Sequence, residues 1–303
     1  MKNLKNTDPE SLRIIHNEVI SLRQEGLSYN KIVNYIKEKY NVKISKATVI
    51  RWCNNITDPF KKLNLGDIKP SPELSYIIGA FLGDGDLYFR EKNYEYRVRI
   101  RVIDKEFAEE FAKCAKKLGF DVDLFFERDR TRSDRWAARI KSKQLYMFLN
   151  RDWRELLQFS MPYIKYFLRG FYDAEGYPVV RTSKKLGIAI ELCNSNKELL
   201  DNIADILNKF GIKTRYRIGA KKGEAIKARN KIYIANFTVY YLIIYRLEDI
   251  QKFYNEIGFT IKRKMRKLEF VLDLLSKYDP YIALEKFKEK YIKIGREYKP
   301  INN

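Results

Sequence analysis

Histidine is nearly absent from this chain: among 303 residues there is one, His16, close to the N-terminus. That scarcity argues against a histidine-activated nucleophile and against an imidazole-based metal site. Cysteine is sparse too. Cys53, Cys114 and Cys193 lie far apart with no CxxC spacing, which excludes a zinc cluster or disulfide framework and fits a reducing cytoplasm. Apolar stretches are short and broken by charge, so neither a signal peptide nor a membrane span is expected, and no membrane partner. Negative charge is also in short supply. Against 60 Lys and Arg stand 39 Asp and Glu, a formal net charge of +21. Ion pairs accumulated for heat stability would balance in sign, and these do not. The excess asks for a polyanion, with nucleic acid foremost, because phosphate contacts release counterions. With 45% hydrophobic and 33% charged residues, the chain can fold into two or three domains.

What is present begins with a helical module over residues 1–60. Asp8 before Pro9 is a helix start, and Ile14, Ile15, Val19 and Leu22 recur at helical spacing. Gly26 ends that helix. Ser28 caps a second, with Ile32, Val33 and Ile36 inward, and Ser45 caps a third, KATVIRWCNN. Val49, Trp52 and Cys53 form the apolar side of the third helix, leaving Lys46, Arg51 and Asn54 outward. A basic last helix after a tight break suits a helix-turn-helix that enters a major groove; a plain three-helix bundle is the alternative. Residues 61–72, with Gly66, Pro70 and Pro72, read as a linker.

An internal duplication follows. YIIGAFLGDGDLYF (76–89) is echoed by YFLRGFYDAEGYPVV (166–180), and superposing Gly79 on Gly170 places Asp84 on Glu175 and Gly85 on Gly176. After each copy the order of elements is the same. YRVRIRV, DVDLFFE and RWAARIK read as strands in the first half, with helices FAEEFAKCAKKLGF and SKQLYMFL. GIAIELC, IKTRYRIG and KIYIANFTVYY read as strands in the second, with helices after Asn196 and at LEDIQKFYNEIG. The expected class is therefore α+β: two αββαββα halves, 73–160 and 161–260, and a helical extension over 261–303.

Small residues four apart, Gly79 with Gly83 and Gly170 with Ala174, strip one face of each motif helix so that the two can approach backbone on backbone. Asp84 and Glu175 follow the last small residue, so that contact would bring both acids to one end of the seam. Two carboxylates that close need a cation between them, and a hard divalent ion suits oxygen ligands and phosphodiester hydrolysis. Turn chemistry at GDGD explains Asp84 taken alone, but not its match with Glu175.

IIGAFLGDG and LRGFYDAEG resemble the two copies of the signature of LAGLIDADG homing endonucleases, in the single-chain form with two pseudo-symmetric halves. The resemblance covers residues 74–260. It implies that the motif helices form the interface, and that Asp84 and Glu175 bind Mg2+ or Mn2+ together with the carbonyls of Gly83 and Ala174. It implies a saddle of two four-stranded sheets on double-stranded DNA, and cleavage of both strands across the minor groove by one monomer. It also implies a basic catalytic residue on the last strand of each half; strand position matches Lys141 and Arg246, with Lys143 as an alternative. Leu82 departs from the pattern where Asp173 keeps it, and Glu175 stands in place of an aspartate.

The strands supply a basic face in their own right. Arg97, Arg99 and Arg101 alternate with apolar residues, as do Arg215 and Arg217, and such spacing can follow a groove. A merely solvated face would mix signs. Lys221, Lys222, Arg229 and Lys231 mark a basic hairpin suited to phosphates, and Lys262, Arg263, Lys264, Arg266 and Lys267 form either another contact or a solvated helix start. A site-specific DNA endonuclease is the expected function. A DNA-binding regulator without catalysis and a maturase acting on intron RNA are the rivals. The terminal Asn303 has no neighbouring histidine, so a free-standing or intron-encoded protein is expected rather than an intein.

Overall fold

Three capped helices open the computed structural model, which describes residues 1–4, 7–60, 63–128, 133–228, 231–295 and 297–301. They are α1 (Pro9–Gln24), α2 (Tyr29–Tyr40) and α3 (Lys46–Cys53), and the side chains of Asp8, Ser28 and Ser45 accept hydrogen bonds from the amides of Ser11, Lys31 and Thr48. Strands β1 (Lys2–Asn3) and β2 (Val42–Lys43) pair in parallel beside them. This module has its own core, built from Leu12, Ile15, Val19, Leu22, Ile32, Ile36, Val49 and Trp52. Ile14, expected to face inward, is exposed. Leu12, Ile15, Val19 and Leu22 already supply a 3-4-3 stripe, and Ile14 falls outside it.

The stretch after the module is pinned down rather than loose. Asn64 exchanges two hydrogen bonds with the backbone of Asp121, each 2.8 Å, and the Gly66 amide donates to Gln144 Oε1 at 3.0 Å. A Cβ on Gly66 would lie 2.4 Å from the Phe120 ring, so only glycine permits this approach. The Lys143 ammonium donates to the Thr7 carbonyl at 2.8 Å, which fastens the other end of the module to the first half.

That half runs α4 (Pro72–Asp84), β3 (Gly85–Arg90), β4 (Glu95–Val102), α5 (Lys105–Lys117), β5 (Asp123–Glu127), β6 (Arg135–Ile140) and α6 (Lys143–Leu149), followed by α7 (Trp153–Ser160). The second half repeats the order: α8 (Ile164–Glu175), β7 (Gly176–Arg181), β8 (Gly187–Asn194), α9 (Lys197–Lys209), β9 (Thr214–Ile218), hairpin β10 (Ala225–Ala228) and β11 (Lys231–Ile234), β12 (Tyr240–Ile244), and α10 (Leu247–Glu256). Each half forms one antiparallel sheet, in the orders β3-β4-β6-β5 and β7-β8-β12-β9. The expected α+β architecture of two matching halves is what the chain adopts.

One strand is placed differently. KIYIANFTVYY looks continuous, but its first part pairs only within the β10–β11 hairpin, and the sheet strand is Tyr240–Ile244. The Gly219 amide bonds the Val239 carbonyl and the Val239 amide bonds the Ala220 carbonyl, so the chain re-enters the sheet only at that point. The last segment also differs from expectation. Helices α11 (Lys262–Lys277) and α12 (Pro280–Lys290) are followed by a hairpin of β13 (Tyr291–Ile294) and β14 (Glu297–Pro300). Leu268, Val271, Leu272, Ala283 and Phe287 join one continuous core with both halves, so this segment is part of the body rather than an appendage. Among the described residues no helix is long and apolar enough to cross a membrane.

Candidate active site

Small residues determine how the site is assembled. A Cβ on Gly79 would lie 2.0 Å from the Phe167 carbonyl oxygen, and one on Gly170 would lie 2.3 Å from that of Tyr76. A Cβ on Gly83 would meet the Ala174 Cβ at 2.3 Å and the Glu175 Cγ at 3.1 Å. Helices α4 and α8 therefore touch backbone to backbone along their length, as the spacing of Gly79, Gly83, Gly170 and Ala174 predicts.

Asp84 and Glu175 are the last residues of these two helices. Each helix closes identically, the Gly85 amide donating to the Phe81 carbonyl and the Gly176 amide to the Tyr172 carbonyl. Two negative helix ends and two carboxylates thus converge on one place. Burial, and then the neighbouring charge of Asp84, push the Glu175 carboxyl up to about 7. Burial raises Asp84 as well, while Lys264 and Arg135 work against the shift. An anionic pair this costly to ionise, with the carbonyls of Gly83 and Ala174 beside it, is a donor set that suits a hard divalent cation. Among the described residues no cluster of three or more His, Cys, Asp or Glu side chains forms a metal site, so main-chain oxygens and water would have to complete the coordination.

Three side chains around the pair carry no sequence signature. Asn194 donates to Glu175 Oε1 at 3.0 Å and is itself fixed by the Asn196 amide at 2.8 Å. Arg135, at the start of β6, acts on Asp84, and its Nε is buried without a hydrogen-bond partner. Lys264 is buried, and its ammonium donates to the carbonyls of Asp173 and Gly176, each at 2.6 Å, and of Tyr172 at 3.4 Å. Asp173, the acid that Leu82 replaces in the first copy, is structural: it accepts from the Tyr76 hydroxyl at 2.8 Å and the Thr260 amide at 2.9 Å.

Lys141 and Arg246 are not brought to this place. Strand register sets Gly85 level with Ile100 and Ala138, and Lys141 lies three residues further down, roughly 10 Å along the strand. There it pairs with Glu95 at 3.5 Å. Gly176 is level with Leu192 and Leu242, so Arg246, the N-cap of α10, lies four residues away and pairs with Glu248 at 3.6 Å. Lys143 is occupied in docking the N-terminal module. The basic run at 262–267 is neither a plain contact nor a plain solvated turn. The Lys262 amide and the Arg263 guanidinium bind Glu106 and Asp104 of the first half, and Lys264 is buried.

The arginines do line the sheet faces, though with acids among them. Arg97 binds Glu95 through two hydrogen bonds of 2.9 and 2.8 Å, Arg99 binds Asp86 at 3.1 Å, and Arg101 lies 3.7 Å from Asp86. The first sheet face is thus mixed in sign, contrary to the expected arginine dominance. In the second half Arg217 binds the buried Glu191 at 2.8 Å and lies over the Tyr241 ring, and Arg215 lies over Tyr245. Lys46 and Arg51 are exposed on α3, and Lys221 and Lys222 are exposed at the base of the β10–β11 hairpin. Arg229 and the side chain of Lys231 lie outside the described residues.

Family models match the two halves separately. Residues 74–144 match the WhiA LAGLIDADG-like domain and residues 162–258 a LAGLIDADG-like domain. The chain belongs to the LAGLIDADG family and has its fold. Over 92% of its length it is 39% identical to an uncharacterized protein of Methanocaldococcus jannaschii, covering the whole of that protein. It is 26% identical to homing endonuclease I-DmoI of Desulfurococcus mucosus, over 54% of this chain and 80% of that one. It also matches 13% of the replication factor C small subunit of Methanocaldococcus jannaschii, at 25% identity over 83% of this chain. Among solved structures, I-DmoI in complex with DNA and Ca superposes with a TM-score of 0.47 at 24% identity, over 65% of this chain and 97% of that one.

Proposed function

We propose that the protein is a metal-dependent endonuclease that cuts double-stranded DNA at a specific site. The observation that carries this reading is the pairing of Asp84 and Glu175 at the closed end of a glycine-packed seam. Burying two acids against each other at two helix C-termini costs stability, and a DNA-binding scaffold without catalysis has no use for it. The sequence likeness to homing endonuclease I-DmoI supports the same reading.

In this reading Asp84 and Glu175 hold Mg2+ or Mn2+, with the carbonyls of Gly83 and Ala174. When bound, such a cation supplies Lewis acidity and a water of lowered pKa for attack on phosphorus. Asn194 orients the Glu175 carboxylate, and Arg135 presents positive charge where a scissile phosphate would approach Asp84. The sheet arginines contact the duplex, and the N-terminal module extends the footprint through Lys46 and Arg51 on α3. Both motif copies lie in one chain, so the protein acts as a monomer.

The test is incubation with intron-flanking or host genomic DNA and Mg2+ or Mn2+. A discrete double-strand break is expected from the wild type, and none from Asp84→Asn or Glu175→Gln, with DNA affinity retained. Cleavage persisting in either variant would refute the site. A second reading is a DNA-binding protein without catalysis: the models matching residues 74–144 and 162–258 are described as LAGLIDADG-like domains, a fold and not a reaction. Tight, salt-sensitive DNA binding with no break under any metal would favour it. Preferential binding of intron RNA would favour a maturase.

A further inference from the structure

The first turn of α11 joins the two halves directly behind the paired acids. Arg263 grips both oxygens of Asp104 at 2.6 and 2.8 Å, and the Lys262 amide donates to Glu106 at 3.0 Å, both acids belonging to the first turn of α5 or its N-cap. The next residue, Lys264, crosses to the second half and places its ammonium among the carbonyls that end α8. Two of those carbonyls, from Asp173 and Gly176, flank Glu175 in the chain. A lysine is rarely buried to this degree unless its donors are all satisfied, and here three acceptors are supplied by one turn.

We propose that Lys264 is a positioning residue. By holding the main chain on both sides of Glu175 it fixes where that carboxylate points, and its charge lets Asp84 and Glu175 lie close before any cation arrives. Helix α11 is then a working part of the site, clamped to the first half by Arg263 and to the second by Lys264. The inference rests on the endonuclease reading for its consequence but not for its geometry.

The experiment uses the full chain with Lys264→Met, which keeps the length of the side chain and removes its charge and donors. Amide hydrogen exchange is followed at Gly176, with Gly85 as internal control, since Lys264 makes no hydrogen bond at the end of α4. Exchange at Gly176 should rise by about tenfold or more while Gly85 stays close to wild type. Unchanged exchange at Gly176, or an equal rise at both glycines, would overturn the proposal. On cleavable DNA the same variant should lose about tenfold or more in kcat with DNA affinity within about threefold of wild type. An equal loss in affinity, or an unchanged kcat, would also overturn it. If the wild type cuts no DNA, the endonuclease reading fails, and the exchange result still decides the role of Lys264. Should Lys264→Met not fold, Arg263→Ala removes the exposed half of the clamp and should raise Gly176 exchange in the same selective way; no change there would be equally fatal.

Discussion

The two sheets of the molecule share a topology but not a surface. On the first, Arg97, Arg99 and Arg139 are each ion-paired to an acid on the same face, Glu95, Asp86 or Asp123, and all of them keep some exposure. On the second, one buried acid, Glu191, gathers Arg217 at 2.8 Å, Tyr177 at 3.3 Å and Arg181 at 3.9 Å, while Arg217 and Arg215 also lie over the Tyr241 and Tyr245 rings. A duplicated fold therefore fixes strand order and the seam between the halves, while the outward side chains diverge. The first face is a set of exchangeable ion pairs that incoming phosphates could take over. The second is a preset cluster that would resist rearrangement.

This contrast depends on the halves being locked in one frame, so the largest effect should come from breaking the lock. Gly79→Ala would drive a Cβ into the Phe167 carbonyl, where backbone cannot give way as a flexible side chain can. A loss of about 3 kcal/mol or more is expected, seen as a fall in the thermal midpoint with both halves melting together. Gly83→Ala meets the Ala174 methyl instead and should cost less. Equal, small costs at both positions would mean that the halves are held by something other than the seam.

The paired acids give the next largest effect, and it depends on pH. Glu175 is raised from 4.5 to about 7, so between those values the folded protein holds a proton that the unfolded chain has lost. Stability should therefore fall as pH rises from about 4.5 to about 7, by about 3 kcal/mol in full. A divalent cation would offset that loss by binding the ionised pair. The rise in thermal midpoint on adding Mg2+ or Mn2+ should be small at pH 5 and largest above pH 7, and absent in Glu175→Gln. Lys264 is lowered only to about 8, so its own effect lies above this window. A metal-induced rise independent of pH would place the cation elsewhere.

How much of this could be read from the amino-acid order depends on the range of the interaction. Caps, the alternation of β4, and the glycine spacing of α4 and α8 are local patterns, and each fixes its element directly. Asp84 and Glu175 are also legible, because the duplication relates them without any knowledge of the fold. Lys264 is not. Within its run it differs in no local way from Lys262 or Lys267, and its burial follows from contact with a turn about ninety residues earlier. Arg135 and Asn194 are hidden for the same reason. Strand order alone points to Lys141 and Arg246, but distance from the seam is a matter of register, and a chain that leaves the sheet through the β10–β11 hairpin conceals it.

Glu191 tests the second face. Glu191→Ala should cost about 2 kcal/mol, since Tyr177 and Arg217 would lose a largely desolvated partner. DNA affinity should change little or fall, because the freed arginine loses its fixed orientation. A neutral effect on the thermal midpoint would mean that the cluster is not preset, and the contrast between the faces would shrink.

Asp86 tests the first face and should show the smallest change in stability. It serves Arg99 at 3.1 Å and Arg101 at 3.7 Å, in a pair that keeps contact with water, so Asp86→Asn should cost less than about 1 kcal/mol. Its effect on DNA should be opposite in sign to its effect on the fold. Removing the acid leaves two guanidiniums for phosphate, and each added phosphate contact steepens the dependence of log affinity on log salt by about 0.9. Affinity measured by fluorescence anisotropy should thus rise a few-fold at low salt and converge with wild type at high salt. A uniform loss of affinity at all salt concentrations would show instead that Asp86 holds Arg99 and Arg101 in the pose that reads the duplex. The first face would then be as preset as the second, and ion pairing there would be part of recognition rather than a stand-in for DNA.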